Sequence, residues 1–149
     1  MSLFDQINQD IKAAMLAKEK DKLEALRAVK SAFLLAKTEK GGSSELTSDI
    51  ELKILQKLVK QRKESAEIYK SQNRDDLCSK ELLEAGFIEE YLPKQMSEEE
   101  LVIELKAIIA EVGAGNSSDM GKVMGVASKK LAGKADGKLM ATKVRELLA

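Results

Sequence analysis

Apolar residues recur at every third or fourth position along nearly the whole sequence, and this period restricts the possible fold more than any other feature. It is the period of an α-helix with one buried face. No stretch of useful length alternates apolar and polar residues as a strand does, and aromatic residues make up only 3% of the chain. The sequence therefore predicts an all-α protein. One face with the spacing i, i+3, i+4, i+7 and i+11 consists of Met120, Val123, Met124, Ala127 and Leu131.

Glycine and proline divide this helical pattern into two parts. The stretch Gly41-Gly-Ser-Ser is the most flexible linker candidate and is expected to end the second helix. Pro93 is the only proline, and it disfavours helical structure at the residue before it, so we place a domain boundary within residues 92–96. The prediction is an N-terminal antiparallel helical unit, residues 1–94, followed by a compact C-terminal three-helix domain, residues 95–149.

Polar residues of the type that cap helices predict several helix starts, because their side-chain oxygens accept hydrogen bonds from unpaired backbone N–H groups. Two glycines are expected to end helices, and Gly133 is suited to do so in the left-handed conformation. The expected starts are at Ser2, at Thr47 or Ser48, at Ser97, at Ser118 or Asp119 and at Asp136, and the expected ends are at Gly113 and Gly133.

The long third helix is predicted to have a polar interruption in its apolar face. Helical spacing places Gln61 and Ser65 in the middle of that face. Either the helix loses its partner there, or these polar groups are hydrogen-bonded inside the protein. The apolar residues predicted to share the face are Ile50, Ile54, Leu58, Ile68 and Tyr69.

The sequence has no net charge, but its charges are segregated near the C-terminus. Residues 97–118 contain five Glu and one Lys, a net charge of −4, whereas residues 119–149 contain seven Lys or Arg and three Asp or Glu, a net charge of +4. Such asymmetry favours a local basic surface, although charge compensation between neighbouring helices would produce the same pattern.

Two glycines within the basic segment define a candidate site for a polyanion. Gly121 and Gly125 lie four residues apart, so a helix places them on one side, and each costs about 1 kcal/mol relative to Ala. One interpretation is that an RNA backbone approaches the helix there and that nearby lysines contact its phosphates. The alternative is that the glycines let a neighbouring helix pack closely and the lysines are only solvated. The candidate RNA-binding residues are Gly121, Lys122, Gly125, Lys129, Lys130, Lys134, Lys138 and Lys143.

The residues needed for common catalytic chemistry are scarce. The chain has no His, which excludes His-based triads and general bases, and its single cysteine, Cys78, excludes a cysteine-rich zinc site. We therefore predict no catalytic residue, no metal site and no cofactor. A lone cysteine suits a reducing compartment, and the sequence shows neither a signal pattern nor an apolar run long enough for a membrane span. We predict a cytoplasmic protein with no membrane association.

Several motifs make the sequence similar to the GatB/YqeY family, and to its stand-alone YqeY-like members in particular. The two most specific motifs are Asp119-Met-Gly-Lys-Val-Met-Gly and Gly133-Lys-Ala-Asp-Gly-Lys138. The others are Lys60-Gln-Arg62 with Ser65, Tyr91-Leu-Pro93 and Ser97-Glu-Glu-Glu-Leu101, and together the matches extend over nearly the whole chain.

The resemblance implies a two-part helical fold whose part from about residue 97 onward is similar to the tail domain of the B subunit of tRNA-dependent amidotransferase. That enzyme converts mischarged Glu-tRNA or Asp-tRNA to the amide form. In that family the tail helps to hold the tRNA, while the kinase and ammonia-transfer chemistry belongs to a separate cradle domain, which we expect this chain to lack. Carbon–nitrogen ligase activity with glutamine as amide donor is thus implied only by family association.

Three hypotheses for the function follow. The first is a tRNA-binding accessory protein that uses the basic, glycine-containing helix. The second is a non-catalytic interaction module that docks on an aminoacyl-tRNA synthetase or an amidotransferase through the N-terminal helices. The third is a component of an amidotransferase that acts in trans.

Overall fold

The computed structural model describes residues 2–39 and 46–149. Within these ranges the chain forms seven α-helices and one 3₁₀ turn and contains no strand, which confirms the all-α prediction. The predicted linker at Gly41 lies outside the described residues. In the described ranges no helix is both long enough and apolar enough to cross a bilayer. The elements are α1 (Leu3–Leu16), α2 (Lys20–Glu39), α3 (Ser48–Ser71), α4 (Asp75–Glu89), α5 (Glu98–Val112), the 3₁₀ turn (Ser117–Asp119), α6 (Met120–Lys130) and α7 (Gly137–Leu148).

The chain divides into two compact units, which we name unit 1 (Met1–Leu92) and unit 2 (Pro93–Ala149). In unit 1, α1 packs on α2, and α4 packs on both α2 and α3. The short connections before α2 and α4 contain Lys18 and Asn73, which both adopt positive φ angles, 57° and 58°. These left-handed residues reverse the chain, so each pair of helices forms a hairpin.

The core of unit 1 is an apolar cluster contributed by all four helices. Phe33 of α2 is its largest fully buried side chain. At the end of α4 the Tyr91 hydroxyl donates a hydrogen bond to Asp10 of α1. Burial and the hydrogen bond to the Asp10 carboxylate both raise the pKa of the Tyr91 hydroxyl. The buried members of the cluster are Ile7, Ala25, Val29, Phe33, Leu55, Val59, Ala85 and Ile88.

The predicted apolar face of α3 is correct only in part, because Ile54 and Leu58 pack against the core of unit 1 but do not form the centre of the buried face. The buried residues of α3 are Leu55, Val59 and Ala66, whereas Ile68 is exposed. Gln61 is also exposed and therefore does not interrupt the buried face. The buried residues Leu55, Val59 and Ala66 lie at positions i, i+4 and i+11 of one face, and the half-buried Arg62 lies at i+7. Because Arg62 is charged, a search for apolar residues at helical spacing does not find this face.

Unit 2 is formed by α5, α6 and α7, which pack on one another. Ser97 caps α5 as predicted: its side chain accepts a hydrogen bond from the Glu100 N–H at 3.1 Å. Gly113 ends α5 as predicted, and it does so in the left-handed conformation with φ 69°. The buried residues of this core are aliphatic or methionine: Leu101, Leu105, Ile108, Val123, Ala127, Leu131, Ala135, Met140, Val144 and Leu148.

Candidate nucleic-acid interface

The two faces of α6 differ sharply in character. Val123 and Ala127 are fully buried against the core of unit 2. At 100° per residue, Gly125 projects directly away from that buried face. Lys122 and Lys129 flank it on one side. Gly121 and Ser128 flank it on the other, and all five outward residues are exposed.

Packing among the described residues does not explain the outward glycines. A Cβ atom placed on Gly121 or Gly125 would have no atom within 4 Å apart from its own helix and chain neighbours. Hence no neighbouring helix among the described residues uses the space that these glycines leave open. Ala at either position would fit and would favour the helix by about 1 kcal/mol.

The turn that follows α6 presents another lysine from a well-anchored backbone. Leu131, Gly133 and Ala135 are buried, while Lys134 between the last two is exposed. Gly133 has φ 75°, the left-handed conformation predicted for it. The helix itself ends earlier than Gly133, at Lys130.

The first turn of α7 carries Lys138, which is also exposed. Only residues 131–136 separate the end of α6 from the start of α7, and within this turn the Lys134 N–H donates back to the Leu131 carbonyl oxygen. The start of α7 therefore lies at the end of α6 that carries Lys129. Lys129, Lys134 and Lys138 share this end of the helix pair, and Lys122 lies about 10 Å further along α6.

Two of the candidate lysines are engaged in ion pairs within unit 2. The Lys130 ammonium lies 2.6 Å from a carboxylate oxygen of Glu111. The Lys143 ammonium lies 2.9 Å from Glu98 and 3.5 Å from Glu146, and its side chain is only 20% exposed. The hydrogen bond to Glu98, with the charge of Glu146, raises the pKa of Lys143. Both lysines are thus partly neutralised by carboxylates of their own chain.

Asp119 has a different role from the predicted helix cap. It precedes α6, but its side chain makes no cap hydrogen bond. Instead its carboxylate accepts a hydrogen bond from the Gly115 N–H at 2.9 Å. This bond, with smaller contributions from the Asn116 N–H and the charge of Lys122, lowers the pKa of Asp119. Asp119 therefore closes the loop that leads into α6.

Gln95, which the sequence pattern does not mark as a site residue, is hydrogen-bonded to the turn that follows α6. The Gln95 side chain donates hydrogen bonds from Nε2 to the Gly133 carbonyl oxygen at 2.6 Å and to the Pro93 carbonyl oxygen at 2.9 Å. In the sequence, Gln95 is marked only by its amide side chain and its position two residues after the single proline. Neither feature indicates that the amide is hydrogen-bonded to Gly133.

These features define an all-helical protein with an exposed helix surface that is poor in side chains and rich in lysine. A model of the family described as Yqey-like protein matches residues 4–148, so the chain belongs to that family. This confirms the resemblance that the motifs indicate.

Two fungal proteins, both named altered inheritance of mitochondria protein 41, mitochondrial, are similar to this chain. The protein from Meyerozyma guilliermondii is 38% identical over 89 residues, which are 60% of this chain and 46% of the relative. The protein from Clavispora lusitaniae is 29% identical over 119 residues, which are 78% of this chain and 68% of the relative. In the first match the chain thus spans less than half of its relative's length.

The names of these relatives contradict the predicted cytoplasmic location, because both are called mitochondrial. The cytoplasmic prediction is therefore wrong. It depended on the lone cysteine and on the lack of a signal pattern. A lone reduced cysteine suits every reducing compartment and does not distinguish one from another.

Proposed function

We propose that this chain binds a folded RNA, with tRNA as the first candidate, through the outward face of α6 and the turn that follows it. The observation that carries the proposal is the open space above Gly121 and Gly125. Because no atom of residues 2–39 and 46–149 fills that space, an external partner accounts for the glycines better than internal packing does.

The charge of the surface favours a polyanion as this partner. Lys122, Lys129, Lys134 and Lys138 are exposed, and no carboxylate of the described residues is found in an ion pair with any of them. Phosphates that approach a glycine-rich helix can come close to the backbone while lysine ammonium groups surround them. In this proposal Lys130 and Lys143 belong to the edge of the surface, since their carboxylate partners compete with phosphate.

The composition of unit 2 favours a folded RNA over a single strand. Unpaired bases are usually held by stacking on aromatic side chains, and residues 93–149 contain no aromatic residue. A duplex-like RNA is recognised instead by its shape and its backbone. The family resemblance to a tRNA-holding tail domain supports tRNA among such RNAs, and the names of the relatives support mitochondria as its compartment.

The test is a binding titration with unfractionated tRNA. We expect the variant Lys122→Glu/Lys129→Glu to lose most of the affinity of the wild type. If four phosphates are neutralised, the wild-type affinity should fall roughly 100-fold between about 50 and 200 mM salt. A matched control is Lys53→Glu/Lys57→Glu, which makes the same charge change at two exposed positions of α3. Equal affinity of the two variants would reject this surface.

The other two hypotheses have less support. Protein docking through unit 1 is suggested by Gln61 and Ser65 in α3 and by the neutral charge of the N-terminal half, but Gln61 is exposed and only Ser65 is half-buried. A role in amidation in trans depends on family association alone. It is tested by glutamine-dependent amidation of mischarged tRNA with and without the protein, and an unchanged rate would reject it.

A further inference from the structure

The segment that opens unit 2 is hydrogen-bonded to the turn between α6 and α7. Gln95 Nε2 donates to the carbonyl oxygen of Gly133 at 2.6 Å. The next residue in the segment, Met96, donates its backbone N–H to the carbonyl oxygen of Lys134 at 2.9 Å. Two consecutive residues of the segment thus hold two consecutive carbonyl groups of the turn.

The turn is also held by a hydrogen bond within itself and by the burial of two of its residues. The Lys134 N–H donates to the Leu131 carbonyl oxygen at 3.0 Å. Gly133 and Ala135 are buried on either side of Lys134. The backbone of Lys134 is therefore held at both its N–H and its carbonyl, and only its side chain extends into solvent.

We infer that Gln95 is a positioning residue for RNA binding, which holds the Gly133–Lys134 turn in the conformation that presents the Lys134 ammonium to a phosphate. This inference rests on the proposed function. Its physical basis is preorganisation: a turn that is already ordered loses less conformational entropy when the ligand binds. Gln95 itself need not touch the RNA, because its amide is occupied by the carbonyl groups of Pro93 and Gly133.

The decisive variant is Gln95→Met, which keeps the length of the side chain and removes its hydrogen-bond donors. We expect the affinity of the full chain for unfractionated tRNA to fall about 2- to 10-fold, the change that corresponds to the loss of one net hydrogen bond. The salt dependence should decrease by about the contribution of one phosphate contact. A general loss of stability would not produce this change in slope. Gln61→Met, at an exposed position of α3, is the matched control and should behave as the wild type.

A double-mutant cycle with Lys134→Ala shows whether Gln95 acts through Lys134. In the Lys134→Ala background, Gln95→Met should cause no further loss of affinity, because the side chain that it positions is gone. Independent losses that multiply in the double variant would overturn the inference.

A second measurement does not need RNA. Amide hydrogen exchange of Met96 and Lys134 in the free protein should be faster in Gln95→Met than in the wild type, because the turn opens more often. Unchanged exchange would overturn the inference even if tRNA binds tightly. Failure of the wild type to bind tRNA would overturn the proposed function, and faster exchange would then still show that Gln95 holds the turn.

Discussion

Unit 1 and unit 2 differ in what they bury. The buried side chains of unit 2 are aliphatic or methionine, and all five aromatic residues of the sequence belong to unit 1. Unit 1 also buries Glu84, which is 8% exposed and is the one charged residue in the buried class among residues 2–39 and 46–149. Arg62 lies half-buried on the core-facing side of α3, where it attracts the Glu84 carboxylate.

The two units also differ in where their charged side chains lie. In unit 2 no charged side chain belongs to the buried class: Asp119 and Lys143 are half-buried, and the others are exposed, where they can pair with a neighbour or meet a ligand. In unit 1 the Arg62 guanidinium donates to the Leu58 carbonyl oxygen at 3.2 Å, while its Nε is buried without a hydrogen-bond partner. A buried donor without a partner costs free energy, so this arrangement lowers the stability of unit 1.

The largest expected effect concerns the aromatic core of unit 1. Phe33→Ala should lower the free energy of unfolding by about 3–5 kcal/mol, because Phe33 is fully buried and its loss leaves a cavity. Tyrosine fluorescence during urea unfolding measures this unit specifically, since Tyr69 and Tyr91 both belong to unit 1 and the chain has no Trp. Leu35→Ala on the same helix is the control, because Leu35 is 61% exposed and its loss should matter little. A loss below about 1 kcal/mol for Phe33→Ala would mean that the aromatic core does not stabilise unit 1.

Apolar period predicted the helices but not all of their faces. The face of α6 was predicted correctly around Val123 and Ala127, because no charged residue interrupts it. The centre of the α3 face was predicted wrongly, because Arg62 occupies a position that a search for apolar residues rejects. Its aliphatic stem can be buried while its charge attracts the Glu84 carboxylate, and Glu84 lies on a different helix, so helical period gives no information about this attraction.

The candidate site was predictable only in part for a similar reason. Helical spacing places Gly121 and Gly125 on one side of α6, but spacing does not show whether a neighbour fills the space above them. The contact between Lys143 and Glu98 joins the start of α5 to α7, and that between Gln95 and Gly133 joins residues 38 apart in sequence. Both depend on tertiary packing, which the sequence pattern did not supply.

Substitution of the exposed glycines tests whether those of unit 2 differ in role from that of unit 1, and the expected effect is smaller. We expect Gly121→Ala/Gly125→Ala to stabilise α6 by about 1 kcal/mol per site, since each Cβ enters open space. The same variant should bind tRNA more weakly, because the methyl groups hinder the approach of the phosphates. Hydrogen exchange of the Val123 and Ala127 amides measures the stability, and a titration measures the affinity.

The matched control for this experiment is Gly86→Ala in α4 of unit 1. Gly86 is likewise exposed with open space at its Cβ position, but it lies outside the candidate surface. The variant Gly86→Ala should increase the stability of α4 and leave the affinity for RNA unchanged. Undiminished affinity in the unit 2 variant would show that the glycines of α6 do not serve RNA binding.

The smallest expected effect is the pH dependence that Glu84 gives to unit 1. Burial raises the pKa of Glu84 above its ordinary value of 4.5, and the nearby Glu81 and Glu24 add to the shift, while Arg62 and Lys80 oppose it. Folded protein therefore takes up the proton at a higher pH than unfolded protein does. The resulting stabilisation is complete below about pH 4.5 and is lost as the pH rises through the folded pKa. The effect is small because the attraction of Arg62 offsets part of the cost of burial.

Two variants should change this dependence in opposite directions when urea unfolding is followed by tyrosine fluorescence from pH 7 to pH 4. Glu84→Gln removes the titration, so it should be more stable than the wild type at pH 7 and equal to it at low pH. Arg62→Met removes the main favourable charge, so it should raise the pKa of Glu84 further and make the dependence steeper. Parallel curves for Glu84→Gln and the wild type would mean that the Glu84 carboxyl has the same pKa in the folded and unfolded states. The ionisation of Glu84 would then make no contribution to the stability of unit 1. The two units would differ only in the kinds of side chain that they pack in their cores.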